Sequence, residues 1–408
     1  MDRLPLSHER SKVSVTNVTV SDPAVGSKIR LYFADYLRAA LVSLVVLHHL
    51  AISYGGSGSF YYTETATGSA AAGLLTLFTG FNQAWFLGAF FLISGYFSPG
   101  SFDRRGAKQY LKDRLIRLLI PLLIFFFVLN PITVYIAFSH LPASQLAGTG
   151  ITLPLAFNWQ FYMHAVGTGP LWFVEMLLIF EFGYICFRVA TRKRSGKVES
   201  GTTFPSFRRI AVFILLFASA SYLIRIALPI NAYLLGFPSL FDLPQYLSFF
   251  IIGTVAARGD WLRKMPGFMA RRVFIFALVA TLTLLLLAII GTEVSSLGWG
   301  SLAGYGSLSS AFYAMWEATF AVGMTMFAVA FFRSHFNSPG RLWNFFSKHF
   351  YTAYILQAPV IVTVTAVALS SVHIESLLKF GLAAVIVLPL LWSVAYAVRK
   401  IPFANKVL

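Results

Sequence analysis

Long apolar runs separated by short polar segments recur along the chain from residue 33 to residue 398. LLIPLLIFFFVL and LVATLTLLLLAII are typical. A bilayer core takes roughly 20 helical residues at ~1.5 Å rise each. The pattern predicts ten spans, about 33–54, 78–98, 115–139, 170–190, 209–228, 241–257, 272–291, 309–332, 350–371 and 376–398. The polar segments differ in charge. Segments 55–77, 140–169, 229–240, 292–308 and 372–375 contain no Lys or Arg. Segments 99–114, 191–208, 258–271 and 333–349 are basic, as are both termini. The alternation runs without exception. By the positive-inside rule both termini are then cytoplasmic and the basic-free loops face outward.

Composition supports the same class. The 408 residues are 57% hydrophobic and 12% charged, against about 25% charged in a soluble domain. Mean hydropathy is +0.72. The predicted fold class is an all-α polytopic membrane protein, a bundle of about ten transmembrane helices with both termini cytoplasmic. A net charge of +17 on a soluble protein would point to nucleic acid. Here it follows the loops, so it is a topology signal, with some affinity for anionic inner-leaflet lipids and none implied for nucleic acid. Residues 1–30 read as a flexible cytoplasmic tail without the apolar core of a signal peptide. Residues 191–207 read as a flexible cytoplasmic linker. The single cysteine, Cys186, excludes a disulfide within one chain and reads as a buried, inert thiol. The sequence shows no nucleotide-binding glycine loop, no internal repeat and no metal-spaced Cys/His cluster.

Charges inside the apolar runs carry the candidate chemistry. A charge at the bilayer centre costs roughly 2.5–3.5 kcal/mol on insertion scales. FADYLRAALVSLVVLHHLAIS (33–53) holds Asp35, Arg38, His48 and His49. At about 100° per residue, Asp35, Arg38 and His49 fall on one stripe within roughly 40°, and His48 is turned about 100° away. Arg38 and His49 are separated by about 16 Å along the axis. Two readings stand. Asp35 and Arg38 form an i, i+3 interfacial pair while the histidines bond neighbouring helices. Alternatively, a substrate lies along the helix, its acidic end at Arg38 near the cytoplasm and its reactive end at His49.

Other polar positions are fewer. Ser94-Gly95-Tyr96 falls at the inner end of the second span, where Gly95 permits close backbone approach or a break. Arg114 and Arg117, at i, i+3 before Pro121, can face one anion or serve as flanking charge. Glu175 and Arg225 lie at similar outer depth, which suggests an ion pair or a role in the site. Glu181 lies nearer mid-membrane. Glu317 has no evident partner. Glu375 and Lys379 read as an i, i+4 structural pair. Trp159, Tyr162 and the Tyr61–Tyr62 pair fit either an interfacial aromatic belt or stacking on sugar rings.

In order, these motifs resemble the membrane-integral acyltransferase-3 family. DYLRAALVSLVVLHH is similar to the family's first-helix signature of an acid, an Arg, ten residues and a His, met here by Asp35, Arg38 and His49. FFLISGYF resembles its aromatic-Ser-Gly-aromatic element, RLIRLLIP its arginine pair before a proline, PLWFVEMLLIF its Leu-Trp-Phe element, and PQYLSFFIIGTVAA its mid-chain helix ending in Gly. The likeness covers most of residues 30–398, an integral membrane acyltransferase domain over 31–400 in this reading. The glucan-modifying, usually succinyl-transferring branch is nearest, since this chain has no fused esterase-like domain. FYTAYILQAPVI departs from the pattern, with Gln357 where many members carry a histidine.

The resemblance implies a membrane-bound O-acyltransferase, transferring groups other than amino-acyl groups. It would move an acyl group from cytoplasmic acyl-CoA to a hydroxyl of a glycan or related acceptor at the outer face. Catalytic candidates are His49, Asp35 and Glu175. Substrate-binding candidates are Arg38, Arg114, Arg117, His48 and Trp172. Acyl-CoA is a co-substrate, no permanently bound cofactor or metal is expected, and the location is a bacterial inner membrane. A neutral amide cannot shuttle protons as an imidazole does, so the chemistry rests on the first helix. A secondary transporter or proton-coupled carrier is the alternative, since such proteins also bury Asp, Glu and His. A non-catalytic scaffold would leave the Asp35–Arg38–His49 stripe without a cause.

Overall fold

The computed structural model describes residues 30–141, 155–191, 203–230, 232, 234, 237, 239–293, 302 and 304–408. Residues 1–29 of the expected tail at 1–30 and most of the linker at 191–207 lie outside these residues, as do parts of loops 140–169, 229–240 and 292–308. Within the described residues the chain is helical and forms no named strand. That follows from its apolar runs, because a spanning backbone in hydrocarbon must satisfy its N–H and C=O groups internally. The helices are α1 Tyr32–Ser53, α2 Ser69–Gln83, α3 Phe86–Arg114, α4 (115–139), α5 Trp159–Ala165, α6 Trp172–Thr191 and α7 Phe207–Ala227. They continue with α8 Leu243–Gly259, α9 Trp261–Lys264, α10 Gly267–Glu293, α11 Leu308–His335, α12 Arg341–Val362, α13 Ser376–Arg399 and α14 Pro402–Val407.

Eight helical stretches among the described residues are long and apolar enough to cross a membrane, one of them the composite 69–139. Two of the ten expected spans fall in that composite. A third coincides with α6, twenty residues long but carrying Glu175, Glu181 and Arg188. The second expected span, 78–98, is divided: α2 ends at Gln83 and α3 starts at Phe86, with Trp85 in a non-helical conformation between them. Helix α3 then runs to Arg114, with non-helical dihedrals at Gly106 (φ 73°, ψ 166°).

Prolines shape α4 and α12. The segments Leu115–Leu119 and Phe125–Leu129 are π-helical, and the turns that follow contain Pro121 and Pro131. Proline has no N–H for the i→i−4 ladder, and a π-turn is one way for the helix to absorb the gap. In α12 the order is reversed, with Pro359 four residues before the π-helical Thr363–Ala368.

Helices α3 and α8 pack with their backbones in close approach. A Cβ on Gly95 would strike the Phe250 carbonyl oxygen, and a Cβ on Gly253 would strike the Leu92 carbonyl oxygen. The two glycine-bearing motifs singled out in the sequence therefore face each other, each giving the other's backbone room. Gly95 thus serves close approach, and the helix does not break there. Helix α1 lies inside the bundle, against α2, α3, α11, α12 and α13. Cys186 is exposed on α6, contrary to the buried thiol expected, because among the described residues no neighbour covers its face of the helix.

Candidate functional site

Helix α1 is an uninterrupted run, so it holds Arg38 and His49 at fixed separation on one rigid element. At its N-terminal end, Arg38 Nη1 lies 3.3 Å from Asp35 Oδ1. The guanidinium also lies 4.4 Å from the Phe97 ring centroid and 5.8 Å from that of Phe350. Phe97 belongs to FFLISGYF on α3, and Phe350 to α12. Among the described residues the cation is held by one carboxylate and two ring faces, which leaves donors available.

Arg114 is near this end but committed inward. Its Nη2 is 3.0 Å from Glu181 Oε1 and 2.9 Å from the Tyr110 hydroxyl. Glu181 is buried and also accepts from Ser98 Oγ at 2.8 Å and from the Tyr110 hydroxyl at 2.5 Å. Arg117 is exposed, and its backbone oxygen accepts from the Tyr351 hydroxyl at 2.7 Å. The expected i, i+3 clamp is not formed, because the π-helical turn at 115–119 alters the register between the two residues. Arg114 turns to Glu181 and Arg117 to the surface.

At the other end, the His49 ring stacks on Phe60 at 4.5 Å between centroids and 16° between planes. Its Nδ1 is 3.1 Å from Gln357 Oε1. His48 leaves the stripe as the helical arithmetic requires. It is buried against Phe86 at 5.1 Å and edge-on to His49 at 5.7 Å, and its Nδ1 has no hydrogen-bond partner among the described residues. Neither acidic candidate is the recorded partner of His49. Asp35 is on Arg38, about 21 Å down the axis, and Glu175 lies beside Thr168. Trp172 is buried with its ring 5.6 Å from Tyr246.

Phe60 comes from the loop after α1, and that loop is tied down at several points. Tyr61 donates to Asn130 Oδ1, and Asn130 Nδ2 donates to the Ala165 oxygen at 2.7 Å. Lys379 Nζ donates to both Glu64 oxygens, at 2.8 and 2.7 Å. Thr67 and Ser376 exchange hydrogen bonds, Thr67 N to Ser376 Oγ at 3.0 Å and Ser376 N to Thr67 Oγ1 at 2.9 Å. Tyr62 donates to Glu64 at 3.0 Å, and burial beside that carboxylate holds its phenol well above the ordinary value. The expected Glu375–Lys379 pair is therefore replaced: Lys379 crosses to the loop, and Glu375 accepts from the Leu378 N–H at 3.1 Å to cap α13.

The expected Glu175–Arg225 pair is also replaced. Arg225 Nη2 lies 2.6 Å from Asp242 Oδ1 and 2.7 Å from Glu317 Oε2, all three residues buried. Gln83 Nε2 and the Tyr246 hydroxyl donate to Asp242 Oδ2 at 3.1 and 3.2 Å. Glu317 has a partner after all. It was not evident because Arg225 lies 92 residues away in sequence. Asp242 carries the same signal in the sequence as Asp35, an acid at the start of an apolar run. Phe60, Ser98 and Tyr110 carried no such signal. Among the described residues, no group of three or more His, Cys, Asp or Glu is placed to hold a metal ion.

Comparison with known proteins bears on this arrangement. The acyltransferase-3 family, described as an acyltransferase domain, matches residues 31–396. Glucans biosynthesis protein C of Escherichia coli strain K12 is 28% identical over 189 residues, 46% of this chain and 46% of the relative. The protein of the same name from Escherichia coli O1:K1 / APEC gives the same identity and coverage. The matched region thus spans about half the length of these curated relatives. No solved structure matches.

Proposed function

The chain belongs to the acyltransferase-3 family, and we propose that it moves an acyl group from cytoplasmic acyl-CoA to a hydroxyl of a glycan at the outer face of a bacterial inner membrane. The observation that carries the reading is the spacing of Arg38 and His49 on α1. One is a stacked cation with spare donors, and the other a partly exposed imidazole about 16 Å along the same helix. Arg38 and the exposed Arg117 pair with the anionic groups of the donor, where a guanidinium fork suits phosphate oxygens. Arg114, already neutralised by Glu181, shapes the entrance. The basic segments and both termini face the cytoplasm in this reading. The name of the partial relatives favours a glucan acceptor.

His49 takes the proton from the acceptor hydroxyl as its oxygen attacks the thioester carbonyl. The new C–O bond forms, the C–S bond breaks, and the imidazolium returns the proton to the leaving thiolate. An acyl-imidazole route uses the same residue as nucleophile. Asp35 acts by holding Arg38. Glu175 and Trp172 belong to the surrounding wall.

The buried charges that motivate a transporter reading are largely paired with one another, Arg225 with Asp242 and Glu317, and Arg114 with Glu181. The test compares glycans, by mass spectrometry, from cells carrying the protein, lacking it, or carrying His49→Ala. A fixed mass increment that appears only with the parental protein is expected. A His49→Ala protein that inserts and acylates at the parental rate would sink the proposal. So would solute uptake into proteoliposomes without acyl-CoA and without any acylated product.

A further inference from the structure

We infer that Gln357 is a positioning residue for His49: its side-chain carbonyl accepts from Nδ1–H, fixes the neutral imidazole in that tautomer, and leaves the Nε2 lone pair as the base. The inference rests on the reading of His49 as the group that takes the proton. Gln357 Oε1 is 3.1 Å from His49 Nδ1. A carbonyl oxygen can only accept, so a bond there requires the proton on Nδ1. The glutamine is fully buried on α12, so water does not compete for the contact. Phe60 lies nearly parallel to the imidazole on the loop side. The stack sets the plane of the ring and the amide sets its rotation within that plane. Together they aim one nitrogen at the protein and release the other.

The choice of residue type has a chemical consequence. A histidine in place of Gln357 would present either a donor or an acceptor to Nδ1, according to its own tautomer. A carboxylate would present an acceptor with a full charge. The amide presents an acceptor without adding a titrating group, so it selects the tautomer and leaves the imidazole neutral. Among the described residues, the titratable side chain in ring contact with His49 is His48 on α1. The contacts from the loop and from α12, Phe60 and Gln357, carry no charge. The reversed amide would do the opposite. Its NH₂ would donate to Nδ1, the imidazole proton would sit on Nε2, and no base would face the substrate.

Replacing the amide separates these states. Transfer from succinyl-CoA to membrane glucan is measured with the full-length protein, its Q357L and Q357E variants, and H49A. Q357L, which can neither donate nor accept, is expected to lower kcat about tenfold, the worth of roughly one hydrogen bond, with KM for succinyl-CoA unchanged. Q357E, which accepts but cannot donate when ionised, is expected to keep kcat within a few-fold of the parent. Its acidic limb of the pH–rate profile should move to higher pH, since a carboxylate favours the imidazolium form. Parental kcat in Q357L with H49A inactive overturns the inference and leaves the reading of His49 standing. A loss in Q357E as deep as in Q357L also overturns it, because it makes the amide a donor. Activity in H49A overturns both. If Q357L fails to insert, Q357N supplies the comparison. It keeps the amide but shortens its reach, so it should fall with the same unchanged KM, and parental kcat there is the overturning result.

Discussion

Arg225 and Glu317 meet through both carboxylate oxygens, at 2.8 and 2.7 Å from the same Nη2, with the arginine 0% and the glutamate 2% exposed. Asp242 shares the guanidinium, so one cation serves two buried carboxylates. Removing the cation leaves both uncompensated. Arg225→Met is expected to cost about 3–5 kcal/mol, seen as a large fall in thermal midpoint in detergent or as lost expression. Glu317→Gln should be milder, because Arg225 keeps Asp242. An Arg225→Met protein as stable as the parent would contradict the structural role given to this cluster.

The α3–α8 contact predicts a steric effect that apolar character cannot rescue. Gly95→Ala and Gly253→Ala each drive a methyl into a backbone carbonyl. Overpacking of this kind costs roughly 1–3 kcal/mol. Both variants should unfold at lower temperature, while Gly73→Ala, whose Cβ meets nothing within 4 Å, should not. Equal midpoints for the three would remove the close-approach argument.

The strap from Lys379 to Glu64 holds the loop that brings Phe60 onto His49. Lys379→Met is expected to lower kcat several-fold, with a smaller effect on the donor KM, because it loosens the ring stack and leaves Arg38 untouched. Steady-state kinetics at varied acyl-CoA concentration gives the split. A change confined to KM would argue that the loop acts on the donor.

Orientation is testable from the basic segments. In a Cys186→Ser background, needed because the native thiol is exposed, a cysteine placed at Ser101 should react with an impermeant maleimide only from the cytoplasmic side. A cysteine at Ser57 should react only from outside. The reverse pattern would invert the bundle and, with it, the direction of transfer.

Much of the candidate site was legible in α1 alone. Asp35, Arg38, His48 and His49 share one helix, so 3.6-residue geometry sorts them without knowledge of any neighbour. The structure keeps the Asp35–Arg38 pair and turns His48 away from the stripe. The Arg114–Arg117 clamp was also a single-helix argument. It failed because a π-turn near Pro121 changes the local period. The Glu175–Arg225 and Glu375–Lys379 pairings failed for another reason. Depth and spacing identify charges that need partners, but Arg225 had Asp242 and Glu317 within reach and Lys379 had Glu64.

The sequence by itself determined the class, the helical character and the stripe on α1. Apolar run length, loop charge and helical phase are local quantities, and the cost of burying charge in hydrocarbon enforces them at every position. Only the tertiary structure decided which helix faces which, and hence that the partner recorded on His49 is a neutral amide on α12 and an aromatic ring from the following loop. Those contacts join residues up to 308 positions apart. They depend on how the helices pack, including two glycines that let α3 and α8 approach, and a residue's own neighbours in the chain do not encode that.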